Sequence, residues 1–114
     1  MNRGKTWPFE EGWPDKPDMI AEGSVADAEW TRICTSLEER HMLSPAWGGM
    51  ILVAASAFED MQHFDAAMAQ YGRTEELAES HATCVAQYRE ACRDLLVDPD
   101  PSSTLRPSRP NEGV

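Results

Sequence analysis

Basic side chains are scarce in this chain of 114 residues: ten Lys and Arg stand against twenty Asp and Glu, a formal net charge of −10. The deficit is concentrated in the body. Residues 17–100 carry sixteen acidic and five basic side chains, which together repel a phosphate backbone at long range. Contact with nucleic acid is therefore expected to be local, weak or made by the ends. Residues 1–16 are balanced in charge there, and residues 101–114 hold two Arg against one Glu. Long apolar runs are missing too. The longest, Met50 to Phe58, is broken by Ser56 and falls short of the ~20 residues that cross a bilayer. No apolar segment of the secretory kind opens the chain, so the expectation is a cytoplasmic protein without a membrane partner. The three cysteines, Cys34, Cys84 and Cys92, form no CxxC pair and no even-numbered framework. They are expected to be reduced and partly buried.

Signatures of catalysis are equally absent. Gly48-Gly49 lacks the spacing of a phosphate-binding loop. His41, His63 and His81 stand far apart, with no HExxH or CxxC neighbour to complete a zinc site. His63 and His81 could meet across a helical hairpin, but packing is the commoner role for such a pair. No GxSxG turn presents a serine nucleophile. Adjacent acids such as Glu59-Asp60 and Glu75-Glu76 diverge around a helix instead of converging. The chain is expected to be no enzyme, with no cofactor and no metal, and to act by binding and assembly.

What is present is helical periodicity. Residues 1–24 form an expected extended arm: Pro8, Pro14 and Pro17 deny it a helix, while its aromatics favour docking. Residues 25–97 are expected to be an all-α domain. A first helix spans about 25–41, with Ser24 or Asp27 as its cap and Trp30, Ile33, Cys34 and Leu37 on one face. Ser44-Pro45 restarts the chain into a helix of about 45–71. There Met50, Ala54, Ala57, Met61, Phe64, Met68 and Tyr71 recur at alternating steps of four and three. Gly72 ends it, and Thr74 caps a third helix of about 74–96 with the seam Leu77, His81, Cys84, Tyr88, Ala91 and Leu95. Two such helices joined by a tight turn make a long antiparallel hairpin. Leu37, Phe58, Met61, Phe64, Tyr88 and Leu95 are expected to be buried. Residues 98–114, rich in Pro and Ser, read as a flexible tail.

A chain of this size buries only about two-thirds of its unfolded surface, so part of the apolar surface is expected to meet sister copies. The expected interface residues are Trp47, Met50, Phe58, Met61, Arg89 and Arg93. Trp47 stands equally well as core or interface, and Arg89 and Arg93 could pair with acids of the same chain.

The order of features resembles the small subunit of phage terminase, the DNA-recognition component of genome packaging. The resemblance begins at Trp13-Pro14-Asp15-Lys16-Pro17-Asp18-Met19. It continues through Ala28-Glu29-Trp30-Thr31-Arg32-Ile33 with Leu37, like the family's "A..W..i...L" helix, and His41-Met42-Leu43-Ser44-Pro45, like its "glLt" step. It closes with Tyr88 to Leu95 and Asp98-Pro99-Asp100-Pro101-Ser102-Ser103, similar to "lGl.PssR". The chain departs from the pattern at Trp47, in the short Gly72-Arg73-Thr74 connection, at Leu96 in place of the closing Gly, and in its acidity. The resemblance implies a homo-oligomeric ring in the host cell cytoplasm that binds viral double-stranded DNA and hands it to the large terminase subunit. Arg3, Lys5, Arg106 and Arg109 would then supply the DNA contacts, multiplied around the ring. Two alternatives remain at this stage. One is an acidic DNA mimic that inhibits a host defence nuclease, and the other is a generic helical adaptor.

Overall fold

The computed structural model describes residues 10–100. They form three α-helices and no strand: α1, Val25–Glu39; α2, Gly48–Tyr71; and α3, Glu75–Leu95. A short 3-10 turn, Pro45–Trp47, leads into α2. The expected all-α class and the long hairpin are both present. α2 packs against α3 along the hairpin and against α1 on its other side. The backbone N–H of Ala26, at the start of α1, donates to Glu59 Oε2 in the middle of α2 at 3.3 Å. α1 therefore covers only the first half of α2.

Local chemistry sets the helix ends. Ser24 Oγ accepts from the Asp27 N–H at 3.1 Å, and Asp27 Oδ2 accepts from the Gly23 N–H at 2.8 Å. Of the two candidate caps, Ser24 is the N-cap, and Asp27 adds favourable charge in the first turn. Thr74 Oγ1 accepts from the Leu77 N–H at 3.1 Å, above Glu75 and Glu76. Ser44 caps the 3-10 turn instead of α2 directly, accepting from the Ala46 N–H. Gly72 closes α2 with φ +96°, a conformation that glycine adopts without steric cost. α1 ends at Glu39, two residues earlier than its periodicity implies, because His41 turns left-handed with φ +58°. Its N–H donates to the Glu38 carbonyl, and the Met42 N–H reaches the Leu37 carbonyl at 2.9 Å. α3 ends the same way: Leu96 has φ +62°, and the Val97 N–H donates to the Cys92 carbonyl. Both closures are Schellman motifs built without glycine.

The core joins Trp30, Ile33, Cys34 and Leu37 of α1 to Ile51, Ala55, Phe58 and Met61 of α2 and to Cys84, Val85, Tyr88 and Leu95 of α3. The rings of Phe58 and Tyr88 lie 5.0 Å apart, tilted by 43°. The seam expected along α2 is only part of its buried arc. Ala54, Ala57 and Met61 are buried, but Met50 is 37% and Tyr71 73% exposed, and Phe64 and Met68 are half-buried. Ile51, Ala55 and Phe58, off the seam, are buried because α2 has helices on two sides. The far half of the hairpin has no third helix above it, so its apolar residues stay partly open.

The arm folds back on its own chain. The Gly12 N–H donates to the Leu43 carbonyl at 3.0 Å, and Trp13 Nε1 donates to Glu38 Oε2 at 2.9 Å. Pro14 is buried against Gly48, where an added Cβ would stand 3.2 Å from Pro14 Cβ. Gly48 thus admits the arm. At the other end, Val97 is buried, and residues 98–100 return along α3 instead of leaving as the free tail expected there. Phe58→Ala is expected to cost about 3–5 kcal/mol in urea denaturation, and Phe64→Ala roughly half that, because only Phe58 is enclosed.

Candidate interaction surface

Of the residues proposed to meet sister copies, two are core. Phe58 and Met61 are 7% and 2% exposed in the single chain. They point between α2, α1 and α3, so the expectation that they form an oligomer interface is corrected. Trp47 is half-buried: its Nε1 donates to the Met42 carbonyl at 3.0 Å, and its ring lines a cavity of about 180 Å³ with Leu37, Met42, Asp94, Leu95 and Leu96. Met50, Arg89 and Arg93 lie on the surface. Arg93 stands 3.8 Å from Glu90, a long contact between exposed side chains that contributes under ~1 kcal/mol. Arg3, Lys5, Arg106 and Arg109, the expected DNA contacts, lie outside the described residues.

A buried charged cluster ties α1 to α3. Glu29, 2% exposed on α1, receives Arg32 in a two-pronged contact, Nε at 2.9 Å and a terminal nitrogen at 2.6 Å. The Tyr88 hydroxyl, reaching across from α3, donates to the same carboxylate. That hydroxyl also accepts from Arg32 at 3.0 Å and from the Asp100 N–H at 2.8 Å. Both Glu29 oxygens and the Tyr88 hydroxyl are thereby paired, as burial requires. Burial first, and then the hydrogen bond to Glu29, push the Tyr88 phenol well above its usual range. The hydrogen bond to Glu29 likewise raises the Arg32 guanidinium. Both lone pairs of the Tyr88 hydroxyl are occupied within the cluster. Sequence reasoning placed Tyr88 in the core but did not find this cluster. The (i, i+3) spacing of Glu29 and Arg32 was the available signal, and it is common on solvated helices.

A second charged group fixes the arm. Lys16 Nζ lies 2.7 Å from Asp27 Oδ1 and 3.4 Å from Glu22 Oε1. The ammonium, followed by the Gly23 N–H, holds the Asp27 carboxyl below its ordinary range, and the bond to Asp27 raises Lys16. Cys34 is pushed up to about 12 by burial, and burial also raises Cys84 and Cys92, so the thiols are structural at neutral pH. Among the described residues, no group of three or more His, Cys, Asp or Glu is placed to hold a metal. No helix there is long and apolar enough to cross a membrane. His63 is exposed and His81 half-buried.

Several large apolar side chains also stay open on the surface. Met50, Val53 and Tyr71 on α2, Leu96 after α3, and Val25, Trp13 and Met19 at the arm and the start of α1 are all exposed. The comparisons with known proteins add nothing to this: no family model, curated protein or solved structure matches the chain.

Tyr88→Phe is expected to destabilise the fold by about 1–3 kcal/mol, since Asp100 N–H and Arg32 lose a buried acceptor. Amide exchange at Asp100 should accelerate more than at the centre of α2. The Lys16–Asp27 pair gives a signed pH dependence. Because the folded Asp27 carboxyl lies below its unfolded value near ~4, its contribution is present above that pH and is lost as the acid limit is approached. The Lys16 contribution is present below ~10 and is lost above it. Thermal melts should show Asp27→Asn closest to the parent at pH ~2 and furthest from it between pH ~5 and ~9.

Proposed function

We propose that this chain is a non-catalytic DNA-packaging component of the terminase small-subunit kind. In this reading it assembles with copies of itself, recognises viral double-stranded DNA and engages the large terminase subunit. The observation that carries the reading is where the resemblance falls on the fold. Aligned on Leu43 and Ser44, the "glLt" pattern has its glycine at His41; in the closing pattern Leu96 stands for the glycine when Pro99 is taken as its proline, with Asp100 and Pro101 in place of the two serines. His41 and Leu96 are the two non-glycine residues of positive φ among the described residues. Both occupy the left-handed closure of a helix, the position that most favours glycine. Two helix closures thus fall where the pattern calls for glycine, with His41 and Leu96 in its place. Leu43, buried, and Ser44, the cap, take the roles that "Lt" implies.

The chemistry fits a binder. The buried charges satisfy one another, the thiols are enclosed, and the open surface is apolar and acidic. A body bearing sixteen acids and five bases in residues 17–100 holds DNA poorly as a single copy. Repetition of Arg3, Lys5, Arg106 and Arg109 around an assembly multiplies weak attraction without any new contact.

The test is native mass spectrometry of the full chain, paired with retardation of duplex DNA at low salt. A discrete oligomer is expected to retard DNA. Replacing Arg3, Lys5, Arg106 and Arg109 by Ala should abolish retardation while leaving the copy number unchanged. A strict monomer that never retards DNA overturns the reading. If that monomer also displaces DNA from a basic nuclease, the mimic alternative takes its place.

A further inference from the structure

After α3 the chain doubles back on itself. Leu96 takes a left-handed conformation, φ +62° and ψ +37°, and reverses the direction of the chain. Val97 enters the core at 6% exposure, and the Asp100 N–H reaches the Tyr88 hydroxyl at 2.8 Å. Residues 97–100 are thus a strap with two anchors, one apolar and one polar. Its far end is fastened to the Glu29–Arg32–Tyr88 cluster.

The hinge of this strap is strained. A Cβ crowds the backbone in the left-handed region, and leucine has no polar group to bond there in compensation. The Leu96 side chain is 61% exposed, so its own burial does little to offset the strain. Straightening the hinge costs α3 no hydrogen bond. In the closed form the Leu96 N–H donates to the Arg93 carbonyl and the Val97 N–H to the Cys92 carbonyl. If the helix ran on, the same two N–H groups would take the carbonyls of Cys92 and Arg93 at the regular four-residue spacing. Pro99 keeps Asp98 from following, so the helix would gain two residues and stop. The strap would then point away from its own core, leaving Val97 and the Asp100 N–H without their partners. The place that fits them is the one they left, on a second copy. A short hinge under strain favours such an exchange.

We propose that residues 97–100 exchange between copies. Leu96 leaves the left-handed region, and the strap of one copy buries Val97 in the next and donates its Asp100 N–H to Tyr88 there. Both anchors are the ones already present in the single chain, and the strain at the hinge is released. The exchange is reciprocal in a pair or passes from copy to copy around a ring. It rests on the assembly reading above and adds the element through which the copies join.

The experiment varies the hinge in the full chain, read by native mass spectrometry and light scattering across concentration, with circular dichroism to verify helicity. Leu96→Gly removes the strain of the closed form and should raise the concentration at half-assembly about fivefold or more. Leu96→Val, β-branched and less tolerant of the left-handed region, should lower it. A benzoylphenylalanine photo-crosslinker in place of the exposed Asp98 should join two chains on a denaturing gel at concentrations where the parent assembles. If Leu96→Gly assembles at the concentration of the parent, or if the cross-links stay within one chain, the exchange is overturned and the assembly reading stands. A parent that is monomeric at every concentration overturns both.

Discussion

The fold turns on the carboxylate of Glu29. It sits almost wholly out of water on α1 and is surrounded by the guanidinium of Arg32 and the hydroxyl of Tyr88. A charge in that position is tolerable only while its partners stay in place, because an unpaired buried ion costs several kcal/mol. The constraint propagates outward. Tyr88 must stand on α3 at the height where its ring meets Phe58 and its hydroxyl meets α1. The turn after Leu95 must bring residues 97–100 back so that Asp100 can use the remaining lone pair. α2 packs as an apolar rod between the helices that the cluster ties, and the cluster sets their register in a way that apolar contacts, lacking direction, do not.

The helices were legible in the sequence because their signals are local. Ser24, Ser44 and Thr74 each cap through a hydroxyl to a nearby backbone N–H, and Gly72 stands where α2 must turn. The hydrophobic steps of α1 and α3 match their buried faces, since each of those helices presents mainly one side to the core. α2 was only half legible. A four-three seam describes a helix with one neighbour, whereas α2 has two, so Ile51, Ala55 and Phe58 lie inside while Met50 stays out. Tertiary arrangement decides that, and periodicity within α2 does not encode it. The ends of α1 and α3 were misplaced by a residue or two for a related reason: His41 and Leu96 adopt a glycine-like conformation that their identities do not advertise. The Glu29 cluster was illegible because Tyr88 and Asp100 approach it from positions about sixty and seventy residues away.

The division of charge has a structural counterpart. Of the six Lys and Arg among the described residues, Lys16 fastens the arm and Arg32 the core. The acids crowd the outer faces of α2 and α3. The exterior that results is acidic and partly apolar, with Arg40, Arg73, Arg89 and Arg93 as its exposed cations among the described residues.

The distal part of the hairpin, past the point where Ala26 meets Glu59, is held by two helices and not three. Thinner cover makes thermal opening there cheaper than in the three-helix part, so the stretch around Gly72 can fray and re-form while Glu29 remains sealed. The molecule thus has a stiff base and a softer tip on a single pair of rods. A rod of graded stiffness can accommodate small differences in angle between neighbours, letting one sequence fit slightly unequal surroundings without disturbing its own centre.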